Sequence, residues 1–127
     1  MKKMTGCFLL FFLLSGVSAE AGCRVFVPEK EFLHDSGYSI RFDFSSVLNS
    51  KKYEEVYDPS LADFVLSISG SEIEGRLHRA EARIKMGDLE VSKRRLCLTQ
   101  FCGISDYAKS FSKAYREFSR SLPVCTL

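Results

Sequence analysis

From residue 61 the chain reads LADFVLSISG, with Phe64, Leu66 and Ile68 on one parity and Val65, Ser67 and Ser69 on the other. Alternation of period two marks a strand with one dry and one wet face. RAEARIKM repeats the device, setting Ala80, Ala82, Ile84 and Met86 against Arg79, Glu81, Arg83 and Lys85. Gly87-Asp88 then fits a tight hairpin of type II′, which takes glycine at its first central position. Leu89 and Val91 open the return strand. Its apolar parity then shifts to Leu96 and Leu98, which predicts a bulge near Lys93 to Arg95.

Upstream, CRVFVP over 23–28 reads as a short strand rich in β-branched and aromatic residues. EKEFLHDSGYS over 29–39 is polar, with a turn at Asp35-Ser36-Gly37. Asp43 fits the N-cap of a short helix carrying Phe44, Val47 and Leu48. Near the end, Ser105 fits the cap of a helix that Pro123 stops. Ile104, Tyr107, Ala108, Phe111, Ala114, Tyr115, Phe118 and Leu122 form its apolar stripe, and about 17 residues make it roughly 25 Å long. The predicted fold is α+β, a two-layer sandwich in the order β-α-β-β-β-α, with both helices on one face of a four-stranded mixed sheet.

The chain begins MKKMTGCFLLFFLLSGVSAEAGC. Lys2, Lys3, the apolar run Phe8 to Leu14 and the small residues after it form the pattern of a secretory signal peptide. The run is about half the roughly 20 residues that span a bilayer. Val17-Ser18-Ala19 and Ala19-Glu20-Ala21 both suit signal peptidase; cleavage after Ala21 makes 1–21 the signal and 22–127 a single domain. Ala21-Gly22-Cys23 also resembles half of a lipoprotein signal, although Glu20 stands where those signals carry an apolar residue. Without Lys2, Lys3 and Glu20 the domain keeps sixteen basic and fifteen acidic residues, a balance that does not call for nucleic acid.

Cys7 leaves with the signal, and Cys23, Cys97, Cys102 and Cys125 remain. An even count in an exported domain reads as disulfides; a zinc site would favour closer cysteine pairs. In the predicted topology Cys97 and Cys102 share the sheet end where the last helix starts. That helix returns Cys125 to the opposite end, where Cys23 begins the first strand. A disulfide needs Cα atoms within about 7 Å, so the expected pairs are Cys23–Cys125 and Cys97–Cys102.

For catalysis the sharpest cluster is FLHDSGYS, with His34, Asp35, Ser36 and Tyr38. Neighbours on one loop seldom converge as a triad, and these are ordinary turn residues. His78 reads as a strand-end histidine. With two histidines and no acidic cluster beside them, no metal and no cofactor is expected. Phosphate-binding glycine loops and the G-x-S-x-G elbow are absent from the sequence. The distinctive surface is basic: Arg79, Arg83, Lys85, Lys93, Arg94 and Arg95, interrupted by Glu81 and Glu90. Cross-strand charge pairs explain part of it, and docking of an anionic partner is the functional alternative.

Asp58-Pro59-Ser60-Leu61-Ala62-Asp63-Phe64-Val65-Leu66 resembles a pattern in small bacterial envelope domains of the TolB amino-terminal and CsgG type, where a helix and turn lead into an Ala-Asp-aromatic-aliphatic-Leu strand and a meander. The likeness spans about residues 23–98. It implies a binding or assembly module without catalytic residues, from which this chain differs in its four cysteines and in lacking a larger partner domain. The expected function is therefore an exported, non-catalytic binding or assembly-accessory domain, periplasmic or outer-membrane associated, with a protein or anionic envelope partner. The competing readings are a small hydrolase using His34 and an inhibitor or immunity-type protein acting through the sheet face.

Overall fold

The computed structural model describes residues 22–98 and 101–126. The expected signal peptide lies outside the described residues.

In chain order the elements are β1 (Arg24–Phe26), β2 (Glu31–Leu33), β3 (Ser39–Arg41), α1 (Ser45–Ser50), β4 (Glu54–Val56), β5 (Phe64–Ile73), β6 (Arg79–Met86), β7 (Leu89–Leu96) and α2 (Ile104–Ser121). The fold is mixed α+β, with a five-stranded mixed sheet ordered β4-β1-β5-β6-β7 and a separate β2-β3 ribbon. The four-stranded expectation needs correcting by β4, which pairs parallel with β1 through Arg24–Glu54, Val25–Glu55 and Phe26–Val56. A three-residue strand has too few positions for a period to register, so only the pairing reveals it. The β2-β3 ribbon was missed for the same reason; its turn is the expected one, with Gly37 at φ 94°.

β1 lies parallel to β5, and β5, β6 and β7 form an antiparallel meander. Asp63 locks the β1–β5 start, accepting hydrogen bonds from the Gly22 amide at 2.6 Å and the Arg24 amide at 3.1 Å. At the β6-β7 hairpin Gly87 takes φ 58° while Asp88 stays out of the left-handed region, as a type II′ turn requires.

The expected bulge does not form. β7 pairs with β6 without interruption from Met86–Leu89 to Arg79–Leu96. The parity of Leu89 and Val91 continues into Lys93 and Arg95, which point to the helix side. There Lys93 lies 3.9 Å from Glu117, and Arg95 bonds Asp106 at 3.3 Å, both on α2. The apparent parity slip is thus two cations turned inward toward α2, and Leu96 is left exposed.

Both helix starts differ from expectation. Phe44 occupies the N-cap of α1, with Asp43 one residue earlier accepting the Ser45 amide. Gly103 rather than Ser105 occupies the N-cap of α2, and Asp106 accepts its amide at 3.0 Å. The core lies between sheet and helices: Val25, Leu66, Ile68, Ala80, Ala82, Ile84, Phe111, Ala114 and Phe118 are buried. Phe44 meets Phe118 edge-on at 6.0 Å, which joins α1 to α2. Phe32 brings the β2-β3 ribbon onto the same layer, contacting Tyr107 at 5.0 Å and Phe111 at 5.2 Å.

Cys23 is bonded to Cys125, with Cα atoms 6.0 Å apart, and Cys97 to Cys102, with Cα atoms 5.3 Å apart.

Candidate functional site

Two surfaces carry concentrated chemistry. The first is the sheet face turned away from α2. The register places Ser67, Ser69 and Ser71 of β5 there, with Arg79, Glu81, Arg83 and Lys85 of β6 and Glu90, Ser92 and Arg94 of β7. Its centre is Glu81, only 6% exposed although it stands on the open face. A buried carboxylate must be hydrogen-bonded, and this one is: Ser92 Oγ donates at 2.8 Å, Arg94 Nε at 3.1 Å, Arg83 Nη2 at 3.2 Å and Ser71 Oγ at 3.4 Å. The Ser92 hydrogen bond first, then the two arginines, holds the carboxyl below its ordinary range against the opposing effect of burial. Arg83 also bridges Glu90 at 3.1 Å.

Only four of the six basic residues singled out in the sequence share this face. Arg79, Arg83, Lys85 and Arg94 are there; Lys93 and Arg95 are on the other side, against α2. Among the described residues, neither Arg79 nor Lys85 enters a salt bridge, so they are the two cations of the face left open to a partner.

The second surface is a cleft of about 470 Å³ between the β2-β3 ribbon, the far end of β5 and the start of α2. Phe32, Leu33, His34, Asp35, Glu72, Phe101, Cys102 and Tyr107 line it. Here the two histidines converge on one carboxylate and one backbone unit. His78 Nδ1 bonds Glu72, whose other oxygen accepts the Cys102 amide at 3.1 Å, and the Cys102 carbonyl faces His34 Nε2 at 3.0 Å. The His78 hydrogen bond lowers the Glu72 carboxyl from its ordinary range, opposed by burial and helped by the Cys102 amide.

His34 Nδ1 lies 3.1 Å from the Ser36 amide, which must donate to it. The ring proton then sits on Nε2 and goes to the Cys102 carbonyl. Ser36 Oγ also lies 2.8 Å from Nδ1. The catalytic candidate of the sequence thus has both nitrogens engaged in fastening the ribbon tip to the lead-in of α2. Among the described residues, no three His, Cys, Asp or Glu side chains are grouped to hold a metal ion.

Glu72 and Tyr107 were not singled out from the sequence. Glu72 carried a usable signal, because it continues the buried parity Phe64, Leu66, Ile68, Gly70. An acid at a dry position of a strand calls for a partner or a site. Tyr107 gave none, being one aromatic among many on an apolar stripe.

Fold and surfaces together define a small disulfide-closed α+β domain with a charged open sheet face and an aromatic, acid-lined cleft. Comparison with known proteins finds no matching family model, no matching curated protein and no matching solved structure.

Proposed function

We propose that the protein is an exported binding module of the bacterial cell envelope that docks an anionic partner on its open sheet face. The observation that carries this reading is the state of Arg79 and Lys85, two cations on that face without a salt bridge. They flank a Glu81 network that holds Arg83 and Arg94 in place. Glu81 already fixes Arg83 and Arg94, so only Arg79 and Lys85 are left for a partner to order. The two disulfides are compatible with export. No helix among the described residues is long and apolar enough to cross a membrane. With cleavage after Ala21, the nitrogen of Gly22 becomes an ammonium group 2.6 Å from Asp63, so the cut end is already met by an acid.

The test uses phosphatidylglycerol vesicles and a polyanionic glycan as probes. Near an anionic surface each basic residue contributes about 1 kcal/mol. Replacing Arg79 and Lys85 together by alanine should therefore weaken binding by about 2 kcal/mol, and raised salt should weaken the parent protein likewise. Lys93→Gln, on the helix side, should bind as the parent does. Equal loss from both variants, or binding indifferent to salt, removes the sheet face as the docking surface.

A further inference from the structure

The cleft holds a polar group that the fold does not satisfy. Tyr107 lines it and is only 5% exposed, yet its hydroxyl makes no hydrogen bond among the described residues. Buried phenols ordinarily find a partner, and one that lacks it calls for an explanation. The ring packs against Phe32, at 5.0 Å, and His34, at 5.4 Å, two contacts that a swing of the hydroxyl would break.

The surroundings say what would complete it. Burial raises the Tyr107 hydroxyl, and the carboxylates of Glu72, Asp35 and Asp106 raise it further, so the cleft has negative potential. Glu72 is already engaged by His78 and the Cys102 amide. Asp35, at the exposed rim, enters no side-chain hydrogen bond or salt bridge among the described residues. None of the described lining residues is a lysine or arginine. Phe32, Leu33 and Phe101 supply an apolar wall.

We propose that this cleft is a binding site for an organic cation on an aliphatic stem, a guanidinium or ammonium head group of the arginine or lysine side-chain type. The head group donates to the Tyr107 hydroxyl oxygen and to the Asp35 carboxylate, and the stem lies along Phe32, Leu33 and Phe101. Of the sheet-face residues only Ser71 also borders the cleft, and the proposal stands whether or not that face docks an anion.

The experiment follows amide resonances of the full mature chain, disulfides intact, during titration with N-acetyl-arginine amide, N-acetyl-lysine amide and the uncharged N-acetyl-citrulline amide. Shifts at Phe32, His34 and Tyr107 with a cationic probe, and none with citrulline, are expected. Tyr107→Phe should keep the parent melting temperature, because the hydroxyl has no internal partner, and should bind about 3–10-fold more weakly. A short arginine-containing peptide binding more tightly than the single residue identifies a polypeptide as the source; equal affinity shows that the head group alone suffices. Citrulline binding as well as arginine, undiminished binding by Tyr107→Phe, or no shifts in the cleft with any probe would each overturn the proposal and leave the hydroxyl to water.

Discussion

Glu81 illustrates how a single side chain sets the character of a surface. On a face otherwise open to water it is buried by its own partners, two serines and two arginines. Its carboxyl is lowered in the folded chain, so the stability it contributes is present above the unfolded carboxyl range near 4.5 and is lost as pH falls through the folded value. Glu81→Gln should cost about 1–3 kcal/mol at pH 7, less than a fully buried pair would, since Arg83 and Arg94 can turn to solvent. The gap to the parent should narrow as pH falls from about 4.5 toward the lowered folded value and vanish beneath it, as urea unfolding across a pH series would measure. Gly70 makes the opposite case, where the missing side chain matters. A Cβ there would lie 2.6 Å from Phe32 Cε1, and that ring is held against Tyr107 and Phe111. Gly70→Ala gains strand stiffness worth about 0.5–1 kcal/mol, but overpacking at about 1–3 kcal/mol outweighs it. Thermal unfolding should therefore show a net loss, with the Phe32 ring resonances displaced.

Among the elements, length governed what could be read. β5, β6 and α2 span 10, 8 and 18 residues, enough for a period to declare itself. β2, β3 and β4 have three residues each, too few for a period; β4 pairs with β1 some thirty positions earlier, and β2 pairs with β3 across a short turn. The passage from α1 into β4 turns on Lys52, a non-glycine residue at φ 70°. Such a conformation costs an L-residue about 1–2 kcal/mol, more than glycine loses in chain entropy. Lys52→Gly should thus stabilise the protein by about 0.5–1 kcal/mol, read as a higher urea midpoint with an unchanged slope. β7 was long enough but misleading. Charges at a dry parity looked like a broken register, whereas Glu117 and Asp106 of α2 make those positions habitable.

At the scale of the molecule, the two disulfides mark opposite ends of the sheet. Cys23–Cys125 ties the chain ends, reinforced by the Cys125 amide donating to the Lys51 carbonyl and by Lys51 Nζ donating to the Leu122 carbonyl. Cys97–Cys102 braces the cleft, its Cys102 backbone shared by His34 and Glu72. With sequence separations of 102 and 5, the chain-entropy model assigns about 4–5 kcal/mol to the first bridge and about 2 kcal/mol to the second. Replacing Cys23 and Cys125 by serine should therefore cause the larger loss of global stability. The Cys97 and Cys102 pair should lose less but disturb the His34, Glu72 and Tyr107 resonances. Equal losses would mean that native packing, not loop closure, governs the larger bridge.

The α+β class, the three long meander strands, the closing helix and the directions of β1, which starts after Cys23, and β7, which ends before Cys97, were legible in the order of residues, because periodicity is a local property and crossovers within one sheet are right-handed. The fifth strand, the β2-β3 ribbon, the inward turn of Lys93 and Arg95, and the meeting of His34, Glu72, His78 and Tyr107 emerged from packing alone. Each is completed from outside its own segment, β4 by β1, the ribbon by Phe32 packing on Tyr107 and Phe111, and Lys93 and Arg95 by the acids of α2, whose charge or shape makes a locally unfavourable choice the stable one.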